Sequence, residues 1–116
     1  MGCAASRCEP WSMRDLKLVE ILYCEGDPSV PRTVNLVTHV LEELHVDADI
    51  HLVEIEPADT LERRFLGSPT VRVDGADVEP GADDSTEYAF GGRIYQTRGG
   101  PASQPEKTWI RAALAV

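Results

Sequence analysis

The chain is poor in cysteine. Only three thiols occur in 116 residues. Their odd number and the lack of any Cys-x-x-Cys pair argue against a disulfide framework, a structural zinc site and a vicinal dithiol centre. Positive charge is also scarce: 11 Lys and Arg stand against 20 Asp and Glu, a net charge of −9. A field of that sign repels phosphate backbones and anionic bilayers, so nucleic acid is not an expected partner. No apolar run approaches the roughly 18–20 residues that cross a bilayer, so no transmembrane segment is expected. The opening text, "MGCAASRCEPWSMRD", has no apolar stretch of the secretory type.

What is present fits one globular domain. Hydrophobic residues make up 42% and charged residues 27% of the chain, and its length suffices to bury one core without disulfides. Residues 1–14 are expected to be a flexible leader and 15–116 the folded domain. Met1-Gly2-x-x-x-Ser6 matches a pattern for acylation at Gly2, with Cys3 as a second lipid site. Small-residue tails also match it by chance. With Cys3 and Cys8 in the leader, Cys24 stands alone in the domain, and a reducing cytoplasm is the simplest compartment.

Periodicity gives the element order. "LKLVEILYC" (16–24) is nearly continuous apolar text, as in a central strand covered on both faces. Gly26 breaks it, and Asp27-Pro28 predicts a helix start with Asp27 as N-cap and Pro28 in the first turn. Val30, Val34, Val37, Leu41 and Leu44 form a helical stripe ending near His45. "DIHLVEIE" (49–56) reads as a second strand. "DTLERRFLG" reads as a short helix, boxed by Asp59 and Glu62 and stopped by Gly67. "SPTVRVDG" (68–75) is a third strand ending in a hairpin-type Asp-Gly turn. "RIYQT" (93–97) is a fourth strand, expected to pair with the third, and "EKTWIRAALAV" a closing helix with Trp109, Ile110 and Leu114 on one side. The order β-α-β, then α-β-β-α, predicts an α/β fold with a four-stranded mixed sheet flanked by helices.

This order, with "YCEGDP" at 23–28 and "FLGSPTVRVDG" at 65–75, resembles the thioredoxin fold. The likeness is closest to the small bacterial DF family of (seleno)proteins. In that family the first strand runs into Tyr-Phe-Glu-Gly-Cys-Pro, and the later text reads Phe-Leu-Gly-Ser-Pro-Thr-x-x-Val-Asp-Gly. "DVEPGAD" and "RIYQT" continue the likeness, which spans about residues 16 to 116. The resemblance implies that Ser68-Pro69 is a cis-proline loop lying against the 23–28 turn. It also implies that the backbone beside Pro69 can pair with an extended thiol partner. Tyr23, Glu25, Gly26, Pro28, Ser68 and Pro69 would then line the cleft. Two departures matter: Asp27 stands where the family has its cysteine, and Gly92 stands where a second one is usual.

Cys24 and Asp27 are the catalytic candidates. A helix N-terminus favours a thiolate at Cys24, while the carboxylates of Glu25 and Asp27 oppose it. Cys24 is also suited to packing as a small hydrophobe, and Asp27 to capping a helix. Three functions follow. The first is a thioredoxin-like domain with a degenerate dithiol site that binds a partner or ligand at the same cleft. The second is a monothiol oxidoreductase in which a thiol-bearing protein or small-molecule thiol resolves Cys24. In the third, the Cys24-x-x-Asp27 spacing resembles part of an organomercurial lyase site, where an acid protonates the leaving carbon. His39, His45 and His51, spaced by six, do not share a helical face, so neither a metal nor a cofactor is expected. "FGGRIYQTRGG" (90–100) reads as a flexible flap with solvated Arg93 and Arg98, and 82–87 as a solvated loop.

Overall fold

The structure is a computed structural model that describes residues 17–115. The leader, with Gly2, Cys3 and Cys8, lies outside the described residues.

Four strands form a mixed sheet. β1 (Lys17–Tyr23) lies between β2 (Ala48–Glu54), to which it is parallel, and β3 (Thr70–Val73), to which it is antiparallel. The parallel pair is joined through α1 (Val30–Leu44), as a parallel connection of this length requires. The fourth strand, β4 (Ala76–Asp77), returns from β3 at once. Asp74 and Gly75 make the two-residue turn between them at φ 51° and 89°, the doubly positive geometry that favours Asp-Gly. The Asp74 amide donates to the Leu18 carbonyl and its carboxylate accepts from the Leu18 amide, so the turn is clasped to β1.

The prediction that 93–97 supplies the fourth strand is therefore corrected. Among the described residues β5 (Tyr95–Thr97) pairs only with β6 (Gly100–Ala102), in a separate two-stranded sheet. The tight Asp74-Gly75 turn brings 76–77 onto the edge of β3 first. The chain ends in α2 (Lys107–Leu114), as its apolar spacing predicts.

Coverage of the sheet also differs from expectation. Val19 and Ile21 of β1 and Val71 and Val73 of β3 point to one face, where they pack with Val37, Val40 and Leu41 of α1 and Ile110 and Leu114 of α2. Both helices thus share a face, linked at the surface by Lys107 and Arg111 to Glu43. Among the described residues, no α-helix covers the opposite face. Leu22 there meets Ile55 and Phe65, with Cys24 and Val53 alongside.

The cover over that second cluster comes from residues 57–66, where the expected short helix is absent. Pro57–Asp59 form one 3-10 turn, and the capping box pairs Glu56 with Asp59 instead of Asp59 with Glu62. Arg64 adopts φ 53°, which ends helical propagation. The Arg72 guanidinium holds the carbonyls of Arg63 and Arg64 at 2.8 and 3.0 Å.

Candidate functional site

β1 delivers Cys24 to the start of a tight turn. The Asp27 amide donates to the Cys24 carbonyl at 3.2 Å, with Gly26 at φ 85° supplying the left-handed position the turn needs. A second turn follows, closed from the Val30 amide to the Asp27 carbonyl. Helix α1 therefore begins at Val30 with Ser29 as N-cap. Asp27 as N-cap, with Pro28 in the first turn, is corrected: Pro31 occupies that place, and Asp27 stands outside the helix. Its Oδ1 accepts from the Ser29 amide at 2.9 Å and the Ser29 hydroxyl at 2.7 Å, the local Asx geometry that competes with capping.

The other carboxylate oxygen reaches across the fold. The Ser68 hydroxyl donates to Asp27 Oδ2 in a short hydrogen bond and accepts from the Cys24 amide at 3.0 Å. Ser68 thus ties both candidate residues to the segment preceding β3. The Ser68–Pro69 peptide bond is cis. Burial works against ionisation of Asp27, but the hydrogen bonds from Ser68 and Ser29, helped by the charge of Arg32, outweigh it. They hold the carboxyl below its ordinary range. Asp27 is an anchored carboxylate, poorly suited to delivering a proton near neutral pH.

Cys24 is half-buried and packs on the Leu22, Ile55 and Phe65 cluster. Its Sγ lies 3.8 Å from the Gly91 carbonyl oxygen. The helix N-terminus offers it little, because the Val30 amide is taken by Asp27 and Pro31 has no N–H. Glu25, Gly26 and Pro28 are exposed, and Tyr23 is half-buried.

Residues 90–95 form a docked strap, which corrects their reading as a flexible flap. The Ser68 amide donates to the Gly91 carbonyl at 2.6 Å, and the Arg93 amide donates to the Ser68 carbonyl at 2.8 Å. Ser68 and Gly92 thereby make an isolated parallel bridge. Both backbone groups of Ser68 are occupied, so the edge expected to receive an extended partner is filled by the chain itself.

The strap is held by a residue the sequence reading misplaced. Arg93 is buried, and its guanidinium donates to Asp77 and Thr70 through Nη1 and to Asp77 and Glu79 through Nη2. It also lies 4.2 Å from the centre of the Tyr95 ring. Burial opposes its charge, but Asp77 and Glu79 more than offset that. Tyr95 is fully buried, and its hydroxyl donates to the Pro69 carbonyl. Gly67 permits the close approach: at φ 119°, an added Cβ there would meet Arg93 Cβ at 2.8 Å. The only signal for this arrangement was the pair Asp77 and Glu79, two residues apart at a sheet edge. Arg98, by contrast, is solvent-facing and paired with Glu106. Residues 82–87 are mostly exposed, although Ala82 is buried and Asp83 accepts from the Asp77 amide.

Among the described residues no three His, Cys, Asp or Glu side chains converge as a metal site, and no helix is long and apolar enough to cross a membrane. Comparison of the chain with protein-family models, curated proteins and solved structures found no match.

Proposed function

We propose that the chain is a thioredoxin-like domain whose dithiol chemistry is lost and which acts by binding a partner or ligand at the Ser68 cleft. The observation that carries this reading is the convergence of positions 27 and 92 on one residue. Ser68 donates its hydroxyl to Asp27 and bridges Gly92 through its backbone. These are the two positions at which the resembled family carries cysteines. Two-cysteine exchange needs one thiolate to attack a disulfide and a second thiol to resolve the mixed disulfide. With aspartate and glycine in those places, Cys24 is the only thiol among the described residues, and no second thiol stands by to resolve a mixed disulfide. Cys24 stands where the family text has phenylalanine, and its packing on Leu22, Ile55 and Phe65 suits an apolar substitute. Phe90 and Ile94, which flank the strap core in sequence, are exposed apolar side chains of the kind a partner surface uses.

A monothiol reading rests on one feature: the Cys24 sulfur is half-buried beside the strap, not sealed in the core. The lyase reading loses support from Asp27, which is held ionised and so lacks the proton that carbon–metal cleavage consumes.

One experiment separates these. Disulfide-reductase turnover is measured for the full chain, for Cys24→Ser, and for Asp27→Cys combined with Gly92→Cys, all with Cys3 and Cys8 changed to serine. The parent and Cys24→Ser are expected to match the uncatalysed rate. The double variant is expected to form an internal disulfide, seen as a mass loss of two hydrogens, and to gain turnover. An added Cβ at Gly92 meets nothing within 4 Å, so the new side chain has room. Turnover by the parent that disappears in Cys24→Ser would replace the binding reading with the monothiol one.

A further inference from the structure

We propose that a pocket over the β3–β4 hairpin, walled by the 63–66 turn and the 82–88 loop, binds a small organic oxyanion between Arg64 and Arg72. The pocket has a volume of about 220 Å³ and is lined by Arg64, Leu66, Arg72, Ser85 and Tyr88 among others. It is separate from the Cys24–Asp27 contacts and independent of the thioredoxin-like reading.

Charge is the first argument. In a chain of net charge −9, two guanidinium groups meet here without a carboxylate partner. No ion pair involves Arg64 or Arg72 among the described residues, which is true of Arg32 and Arg63 as well, whereas Arg93 is paired with two carboxylates and Arg98 and Arg111 with one each. Asp77 also lines the pocket, but its charge is spent on Arg93. Asp83 is the remaining carboxylate there, and it accepts from the Asp77 amide. Arg64 and Arg72 thus bring two guanidinium groups to a pocket whose own lining carboxylates are Asp77, engaged with Arg93, and Asp83.

Geometry is the second. Arg72 spends Nη2 on the carbonyls of Arg63 and Arg64, which leaves its Nε and Nη1 donors without an acceptor among the described residues. With the turn's own backbone hydrogen bonds, from the Arg63, Arg64 and Phe65 amides, these contacts hold the segment that presents Arg64. Arg64 itself sits at φ 53°, a conformation a glycine would hold without strain. Its side chain is exposed and makes no hydrogen bond among the described residues, so its guanidinium donors are open to a ligand. The forked donors of two arginines match a carboxylate or phosphate. Tyr88, whose hydroxyl has no partner among the described residues, and Leu66 provide the surface for an attached organic group.

The test titrates phenyl phosphate, benzoate and inorganic phosphate into the full chain, followed by calorimetry and by amide shifts. Saturable binding of phenyl phosphate or benzoate is expected, with shifts at Arg72, Ser85 and Tyr88; which of the two binds names the oxyanion. Arg64→Gly should weaken binding about tenfold or more without lowering the melting temperature, because glycine relieves the backbone. Arg98→Ala, which removes an exposed charge elsewhere, should leave affinity unchanged. The proposal is overturned if neither organic anion saturates, if Arg64→Gly binds as well as the parent, or if Arg98→Ala weakens binding equally.

Discussion

On one face of the sheet, Val19, Ile21, Val71 and Val73 meet the apolar stripes of two helices. On the other, Leu22 ends in a small cluster with Ile55 and Phe65, and Thr70 and Asp77 meet a buried arginine instead of a helix. The first face is held by non-directional burial, which many apolar side chains satisfy. The second is held by directional contacts that converge on two residues, Arg93 and Ser68. Such contacts are costly to break singly, since each loss strands a partner. They also place the cleft, the strap and Cys24 within one network, so the face with less apolar packing is the one that defines the candidate site.

The comparison breaks most visibly at Arg93. Arg93→Ala leaves Asp77, whose side chain is only 2% exposed, as a buried charge without its partner. A loss of about 3–5 kcal/mol is expected in urea unfolding. Adding Asp77→Asn should recover part of that loss, because it removes the stranded charge. Ile110→Ala, on the helix-covered face, should cost about 2–5 kcal/mol, with no recovery from Asp77→Asn. If the two variants respond alike to the second change, the two faces do not differ in kind.

A smaller effect sharpens the same contrast within the strap. Gly67→Ala should cost about 1–3 kcal/mol, since its φ of 119° disfavours a side chain and its Cβ would press on Arg93. Gly92→Ala, one contact away with open space around it, should be neutral or stabilise by up to about 1 kcal/mol. Comparable losses at both positions would mean that the strap is not seated on Gly67.

These two faces were not equally legible in the sequence. The helix-covered face follows from periodicity: β1, β2, α1, α2 and the Asp74-Gly75 turn all announce themselves locally. Even there the buried stripe of α1 is Thr33, Val37, Val40 and Leu41, shifted from the apolar series that predicted it. The other face depends on partners far apart in sequence. Arg93 reads as a solvent residue until Asp77 and Glu79, 16 and 14 positions earlier, close on it. The 59–67 text has the composition of a helix, but Glu56 claims Asp59 and Arg72 claims the carbonyls that would have continued it. Asp27 followed by Pro28 and Ser29 suits either a cap or an Asx turn, and Ser68, 41 positions later, joins the carboxylate in the second geometry. Charged and hydroxylated side chains have no periodic signature, so their burial is set by topology that local text does not encode.

The smallest expected effect concerns that carboxylate, and pH isolates it. Asp27 is more acidic in the folded chain than an ordinary aspartate, with Ser68 and Ser29 outweighing the cost of burial. A depressed folded value means that the contribution is complete above the unfolded value of about 3.9 and is lost as pH falls through the lower, folded one. Asp27→Asn should therefore cost about 1 kcal/mol at neutral pH, below the range for fully buried hydrogen bonds to a charged group because the site is partly exposed. Glu43, hydrogen-bonded to Lys107, and Glu106, hydrogen-bonded to Thr108, are also held acidic. Both steepen acid unfolding in parent and variant alike, so they cancel in the difference. The quantity to measure is the stability difference between Asp27→Asn and the parent across pH. It should be flat from about pH 5 to 8 and shrink only below about pH 4. A difference that stays constant into strong acid would show that Asp27 acts through shape alone, and the cleft would then lose the charged anchor that sets it apart from the helix-covered face.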